Sequence, residues 1–161
     1  MIKYIFLLLL PFSLSAQMWD TDDIIVYETF EDLTPVFERG GDTVHVINFW
    51  ATWCGPCVKE LPYFEQLDGT TFKGKPVEVV LVSLDLPRHV DGKVLNFLNE
   101  NKIGSEVVLL ADGKPNNWID KVDPSWSGAI PITIVYSGDK RAFYEREFHS
   151  VEELREIISQ L

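Results

Sequence analysis

Two cysteines stand two residues apart in this chain of 161 residues, and the chain contains no others. Cys54 and Cys57 follow an apolar run over 44–50 and precede a helical pattern. A cysteine at the start of a helix lies near unpaired backbone N–H groups and the positive end of the helix dipole, which favour its thiolate. The spacing therefore predicts that Cys54 is the nucleophile and that Cys57 attacks a mixed disulfide formed at Cys54.

A Cys-x-x-Cys pair can also be a structural disulfide or half of a zinc site. In the chain-entropy estimate, closing so small a ring stabilises a fold by only about 2 kcal/mol. A structural zinc site needs two further ligands, and the histidines lie isolated in the sequence at His45, His89 and His149. A redox dithiol is the favoured interpretation, and no metal is expected.

The first residues have the layout of a targeting segment. A short basic start precedes an apolar stretch over 5–14 and small residues over 13–16. That layout is typical of a secretory signal peptide, so we expect a signal peptide at 1–16, cleaved after Ala16, and one domain at 17–161. An uncleaved anchor and a buried strand are the alternatives. Export would place the cysteines in an oxidising compartment, where the pair is either oxidised or kept reduced by a dedicated supply of electrons.

The charge of the chain limits its partners. Acidic residues number 25 against 14 basic ones, which gives a formal net charge of −11 at pH 7. A strongly acidic surface repels nucleic acids and anionic lipids, so neither class of partner is expected.

Hydrophobic periodicity predicts a fold in which strands and helices alternate. The predicted strands are 24–27, 43–50, 77–84, 106–110, 132–136 and 142–148, and the predicted helices are 30–37, 55–67, 91–101, 114–122 and 151–161. Ser150 is expected to cap the last helix. Such an order indicates an α/β sandwich, with a mixed sheet covered by helices on both faces.

The cysteine motif resembles that of a known family. The run Trp-Cys-Gly-Pro-Cys over 53–57, preceded by Phe-Trp-Ala over 49–51, resembles the thioredoxin active site, and Pro62 matches the helix proline of that family. With the expected signal peptide, the spacing of Glu60 and Pro62 from Cys57 resembles the exported TlpA/ResA-type thiol-disulfide oxidoreductases. The resemblance implies a thioredoxin-like three-layer sandwich. The stretch 86–129 resembles the TlpA-type insertion before the cis-proline strand, which is expected to shape partner choice.

The resemblance also implies a substrate site. It predicts a cis peptide bond between Ile130 and Pro131, in a loop that faces the dithiol and offers backbone hydrogen bonds to substrate; an ordinary trans proline is the alternative. Trp50 is expected in the core. Trp126 is expected either to lie near the site or only to pack against other side chains. The residues expected to contact substrate are Trp53, Gly55, Pro56, Ile130 and Pro131.

One position departs from the thioredoxin pattern. Cytosolic thioredoxins carry an aspartate six residues before the first cysteine, where this chain has Asn48, an amide that cannot take up or release a proton usefully. Glu60 is the expected replacement because it shares a helix face with Cys57. If it is buried, the pKa of Glu60 rises towards neutral, which suits a general base for Cys57. A solvated helix glutamate is the alternative.

Together these features indicate an exported thiol-disulfide oxidoreductase of the bacterial periplasm or cell envelope. The Gly-Pro pair between the cysteines resembles the reducing members of the superfamily, so a reductase is favoured. The resemblance implies a monomer without a bound cofactor, a membrane thiol-transporting protein as electron donor, and disulfide-bearing envelope proteins or apocytochrome c as substrates. A thiol peroxidase and a non-enzymatic peptide- or metal-binding module on the same fold are the alternatives.

Overall fold

The computed structural model describes residues 18–161, so the expected signal peptide at 1–16 lies outside the described residues. The strands are β1 (Ile25–Tyr27), β2 (Val44–Trp50), β3 (Thr71–Phe72), β4 (Lys75–Ser83), β5 (Glu106–Leu110), β6 (Ile132–Ser137) and β7 (Lys140–Tyr144). The α-helices are α1 (Phe30–Leu33), α2 (Gly55–Leu67), α3 (Leu95–Glu100), α4 (Ile119–Val122) and α5 (Val151–Ser159). Between residues 18 and 161, no helix has the length and apolar character needed to cross a membrane.

The strands form one mixed sheet. Its order is β1-β5-β4-β2-β6-β7, and β3 pairs with β4 at one side. Strands β1, β5, β4 and β2 run parallel, whereas β6 is antiparallel to β2 and β7 is antiparallel to β6. Every residue of β2 is buried, as expected for a central strand covered on both faces.

Helices cover both faces of this sheet. On one face α2, α3 and α5 bury apolar side chains that include Leu61, Phe64, Leu98 and Leu154. On the other face α1, α4 and the N-cap residue of α4 bury side chains that include Phe30, Leu33, Trp118 and Val122. The predicted three-layer α/β sandwich is therefore confirmed, and so is the N-cap of α5, where the Ser150 side chain accepts a hydrogen bond from Glu153 N.

The sheet differs most from the sequence prediction at two places, around β4 and at β7. Strand β3 was not expected, and β4 begins at Lys75 rather than Val77, because a tight turn at Lys73 and Gly74 (φ 49° and 83°) folds the chain back on itself. Strand β7 begins at Lys140 and ends at Tyr144 rather than spanning 142–148. Beyond Tyr144 the chain turns inward, and the Phe148 side chain is fully buried.

The stretch 86–129 contributes one strand to the sheet. It contributes β5, which lies between β4 and β1 and runs parallel to both. The crossover from β4 to β5 is the predicted helix at 91–101, here a π-helical turn (Val90–Val94) followed by α3. The predicted helix at 114–122 divides into a 3₁₀ turn (Pro115–Asn117) and α4.

Candidate active site

The two cysteines lie at one edge of the sheet, where β2 ends and α2 begins. Cys54 is the N-cap residue of α2, and its Sγ accepts a hydrogen bond from Cys57 N at 3.3 Å. Gly55 and Pro56 form the first turn of α2, where the missing N–H of proline costs little because helix-start N–H groups have no partner within the helix. The chain thus leaves β2, turns, and begins α2 directly after Cys54.

Cys54 and Cys57 are joined in a disulfide in this structure, which is the oxidised state of the pair. Cys54 retains 6% of its surface exposed, whereas Cys57 is completely buried. Cys54 is therefore the sulfur that an incoming molecule reaches first, and Cys57 lies behind it.

The loop before β6 faces the disulfide. The peptide bond between Ile130 and Pro131 is cis, as predicted. The carbonyl oxygen of Ile130 lies 3.8 Å from Cys54 Sγ. Trp53 is 62% exposed beside Cys54, whereas Trp50 is fully buried, and this division also agrees with the sequence prediction. An exposed indole ring and a backbone carbonyl thus flank the accessible sulfur atom.

Glu60 is fully buried in α2. Its Oε1 accepts a hydrogen bond from Asn48 Nδ2 at 2.7 Å, and its Oε2 accepts one from Phe148 N at 2.8 Å. Burial raises the pKa of Glu60 to about 7, against these two hydrogen bonds, which lower it. The glutamate is therefore not a solvated helix residue, and it changes protonation near neutral pH.

Asn48 has a structural role that the comparison with thioredoxins did not suggest. Besides Glu60, its Nδ2 atom donates to Thr133 Oγ1 at 3.2 Å and to Ile132 O at 3.3 Å. The amide therefore connects the buried carboxyl group to the strand that follows the cis proline. Among the described residues its Oδ1 atom is buried without a hydrogen-bond partner.

A second polar connection near the cysteines was missed at the sequence level. The buried Asp85 side chain accepts hydrogen bonds from Thr52 N at 2.8 Å, from Thr52 Oγ1 at 2.6 Å and from Ser83 Oγ at 3.1 Å. Asp85 follows β4, the parallel neighbour of β2, so the two strand ends meet at the same edge of the sheet. An acidic residue directly after a buried strand was the signal that could have identified it.

Trp126 packs in the core beneath the cis-proline loop. Its ring lies 5.4 Å from that of Phe49 and 5.7 Å from that of Trp118, and its Nε1 donates to Ala129 O at 2.7 Å. Of the two expectations for this residue, packing describes it best, although it also supports the loop that carries Ile130.

In the part of the chain that the structure describes, metal-ligating side chains do not cluster near the cysteines. Over residues 18–161, no group of three or more histidine, cysteine, aspartate or glutamate side chains is placed to hold a metal ion. His45, for example, is buried in β2 and stacks on Tyr136 at 4.8 Å.

Comparison with known sequences places this arrangement in context. The family model described as Redoxin matches residues 37–121, a range that includes both cysteines and Glu60. A thiol-disulfide oxidoreductase ResA of Oceanobacillus iheyensis is 55% identical over 40 residues, covering 25% of this chain and 20% of that protein. A ResA of Bacillus thuringiensis subsp. konkukian is 35% identical over 118 residues, covering 71% of this chain and 61% of that protein. The chain thus spans less than two thirds of the length of either relative.

A solved structure supports the same fold. The thioredoxin-related protein from Neisseria meningitidis serogroup B superimposes with a TM-score of 0.62 at 24% sequence identity. The superposition covers 76% of this chain and 87% of that structure. The architecture is thioredoxin-like.

Proposed function

This chain belongs to the Redoxin family, and on that premise we propose that it is an exported thiol-disulfide oxidoreductase that reduces disulfides of cell-envelope proteins. The observation that carries the proposal is the arrangement of the two sulfur atoms. Cys54 is slightly exposed at the start of α2 and beside the Ile130 carbonyl group, and Cys57 is buried directly behind it.

The proposed reaction is dithiol–disulfide exchange in two steps. In the first step the Cys54 thiolate attacks one sulfur of a substrate disulfide. A bond forms between Cys54 and that sulfur, and the other substrate sulfur leaves as a thiolate and takes up a proton. In the second step the Cys57 thiolate attacks Cys54 Sγ, the Cys54–Cys57 disulfide forms, and the remaining substrate sulfur leaves. Two electrons pass from the protein to the substrate.

Glu60 is proposed to take the proton from Cys57 before the second step. It lies three residues further along the same helix, and its pKa of about 7 allows it both to accept and to release a proton near neutral pH. Glu60 and Cys57 are both fully buried, which suits a base that serves Cys57.

The walls around Cys54 are proposed to position the substrate. The Ile130 carbonyl group, next to the cis bond to Pro131, can accept a hydrogen bond from a substrate N–H in an extended segment. The exposed ring of Trp53 and the exposed residues Gly55 and Pro56 complete the contact surface.

Reduction is the proposed direction because the Gly-Pro pair between the cysteines resembles that of reducing relatives. The electron donor is then a membrane thiol-transporting protein, and the substrates are oxidised envelope proteins or apocytochrome c. The signal-peptide layout at 1–16 supports export to the periplasm or cell envelope, and we propose that the protein acts there as a monomer without a bound cofactor.

Insulin reduction by dithiothreitol tests this function. The wild-type protein should accelerate precipitation of the insulin B chain, and Cys54→Ser should abolish the acceleration, because the first step then has no nucleophile. Absence of acceleration by the wild-type protein would contradict the proposal. Consumption of hydrogen peroxide without insulin reduction would instead indicate a thiol peroxidase.

A further inference from the structure

A groove of about 270 Å³ opens at the same edge of the sheet as the dithiol. Its lining is largely apolar, and in the described part of the chain no lysine or arginine lines it. The side chains that matter here are Leu84, Leu86, Pro87, Trp118, Ile119 and Trp126. Five of these six residues, all but Leu84, lie in the stretch 86–129, so this groove is largely a product of that stretch.

The wall of the groove is linked to both sides of the proposed active site. On one side its wall includes Asp85, which holds Thr52 through two hydrogen bonds, and Thr52 is two residues from Cys54. On the other side its wall includes Gly128, two residues before Ile130, whose carbonyl oxygen lies 3.8 Å from Cys54 Sγ. Residues of the groove wall thus lie next to the segments that flank Cys54 on both sides.

The topology gives an independent reason for this position. Strands β4 and β5 run parallel to one another and to β2, so the segments after Ser83 and after Leu110 emerge at the edge where Cys54 lies. Strand β6 is antiparallel to β2, so the segment before Ile132 also lies at that edge. All three segments contribute walls to the groove.

The groove offers apolar contact and little unsatisfied charge. Its two acidic residues are already hydrogen-bonded: Asp85 accepts from Thr52 and Ser83, and Asp112 accepts from Phe30 N at 3.2 Å and Lys114 N at 3.0 Å. Leu86, a further apolar residue of the lining, is 46% exposed. The site thus favours an uncharged, apolar group.

The size of the groove limits its occupant. Pockets that enclose a small-molecule ligand measure roughly 300–1,000 Å³, so about 270 Å³ suits a single large side chain. In an extended peptide, residues i and i+2 point to the same side and lie roughly 6–7 Å apart. When a substrate cysteine faces Cys54, the side chain two residues away therefore faces the same side of this protein, the side on which the groove lies.

We propose that this groove is a specificity subsite for the substrate protein, which holds a bulky apolar or aromatic side chain two residues from the cysteine under attack. The inference rests on the proposed function, since it names the kind of disulfide segment that the dithiol would reduce. Burial of an aromatic ring against Trp118 and Trp126 favours such segments over polar ones.

Matched peptides test the subsite. Each peptide carries one cysteine in a mixed disulfide with 2-mercaptoethanol and a single Phe at position −2, −1, +1 or +2 in an otherwise Ser/Gly sequence. The rate constant for reduction by the reduced protein is measured by quenched chromatography. Phe at −2 or +2 should raise that rate constant about tenfold or more over the all-Ser peptide, and Phe at −1 and +1 should not. Equal rates for all five peptides would overturn the proposal.

Variants connect the preference to the groove. Ala111→Trp, which fills the groove from its lining, and Leu86→Ser, which removes its exposed wall, should each reduce the Phe/Ser rate ratio to within about threefold of unity. Ile25→Ser is the matched control, since Ile25 is 52% exposed and does not line the groove; it should keep the wild-type ratio. An unchanged ratio in both groove variants, or an equal loss in the control, would overturn the assignment.

Reduction of bis(2-hydroxyethyl) disulfide, which carries no side chain, separates the two proposals. If the wild-type protein reduces this compound but shows no preference among the peptides, the subsite proposal fails and the proposed function stands. If the protein reduces neither the compound nor any peptide, the proposed function itself fails.

Discussion

At the scale of single residues, the carboxyl group of Glu60 is where burial and hydrogen bonding oppose each other most clearly. Loss of hydration raises its pKa, and the donors Asn48 Nδ2 and Phe148 N lower it; nearby Glu147 raises it and Arg146 lowers it. The balance leaves the pKa at about 7, where a carboxyl group can serve as a base and be regenerated within one catalytic cycle.

The first prediction concerns the pH dependence of exchange. The wild-type rate should rise through about pH 7 as Glu60 ionises, and Glu60→Gln should remove that rise because glutamine does not titrate. The measurement is kcat/KM for insulin reduction between pH 5 and 9. Glu156→Gln, the same change at an exposed position of α5, is the control and should leave the profile intact.

A second variant sharpens the same prediction. Asn48→Asp replaces the amide donor to Glu60 with another carboxyl group, and two carboxyl groups at hydrogen-bond distance cannot easily both ionise. The rise in rate should therefore move to higher pH by at least about one unit. Profiles of both variants that coincide with the wild-type profile would show that Glu60 takes no part in proton transfer.

The next prediction concerns stability. The pKa of Glu60 is raised from 4.5 to about 7 on folding, so the folded state holds this proton more tightly than the unfolded state. The wild-type free energy of unfolding should therefore fall as pH rises from about 4.5 to 7, and Glu60→Gln should lack this contribution. Between pH 4 and 8.5 the free energy of unfolding of the wild-type protein should fall by about 3 kcal/mol relative to that of Glu60→Gln.

Urea unfolding of both oxidised proteins at each pH measures this difference. Contributions from other titrating groups cancel because both proteins contain them. A difference that stays constant with pH would show that Glu60 titrates normally in the folded protein.

At the scale of elements, the turn from β2 to α2 is stabilised by its own sequence and also by hydrogen bonds to the residues that follow β4. Leu84 N donates to Trp50 O at 2.8 Å, and the Asp85 side chain accepts from both Thr52 N and Thr52 Oγ1. The segment that carries Trp53 and Cys54 is therefore attached to the end of β4, which fixes the position of the first sulfur atom relative to the sheet.

We expect Asp85→Leu to weaken both the fold and the reaction. Removal of this acceptor leaves Thr52 N without its partner, which should lower the free energy of unfolding by about 1–3 kcal/mol. Insulin reduction should slow, because the segment before Cys54 is no longer anchored. Asp22→Leu at an exposed position should change stability by less than about 0.5 kcal/mol. Equal stability of the two variants would mean that the Asp85–Thr52 link contributes nothing.

The sequence predicted those elements whose signals are local. The apolar run of β2, the Gly-Pro start of α2 and the Ser150 cap of α5 each depend on a few neighbouring residues. The short strand β3 and the end of β7 at Tyr144 depend on tertiary contacts instead. After Tyr144 the chain leaves the sheet and brings Phe148 N to Glu60, 88 residues away in sequence, and no periodicity signals such a contact.

At the scale of the whole molecule, the stretch 86–129 does more than connect β4 to β6. It supplies β5, which separates β4 from β1, and most of the walls of the apolar groove. The resemblance in the sequence predicted an insertion over 86–129. The groove is formed by side chains from three segments, those after β4, after β5 and before β6. These segments are far apart in sequence, so the groove could be recognised only in the structure.

The redox potential is a property of the whole molecule, and it decides the direction of electron flow. If the protein is a reductase, the Cys54–Cys57 pair should have a potential near the roughly −270 mV of thioredoxin. Equilibration with glutathione or dithiothreitol buffers, followed by thiol alkylation, measures it. A potential near the roughly −120 mV of DsbA would make the protein an oxidant and would contradict the proposed direction.

The most direct test of the central claim is to stop the reaction between its two steps. Cys57→Ala keeps the accessible nucleophile and removes the sulfur that resolves the mixed disulfide. Incubation of this variant with a disulfide-bearing protein should give a covalent adduct that dithiothreitol releases and that peptide mass mapping locates at Cys54. Cys54→Ala should give none. Absence of an adduct at Cys54, or its formation through Cys57 instead, would contradict the assignment of these two cysteines as a working dithiol.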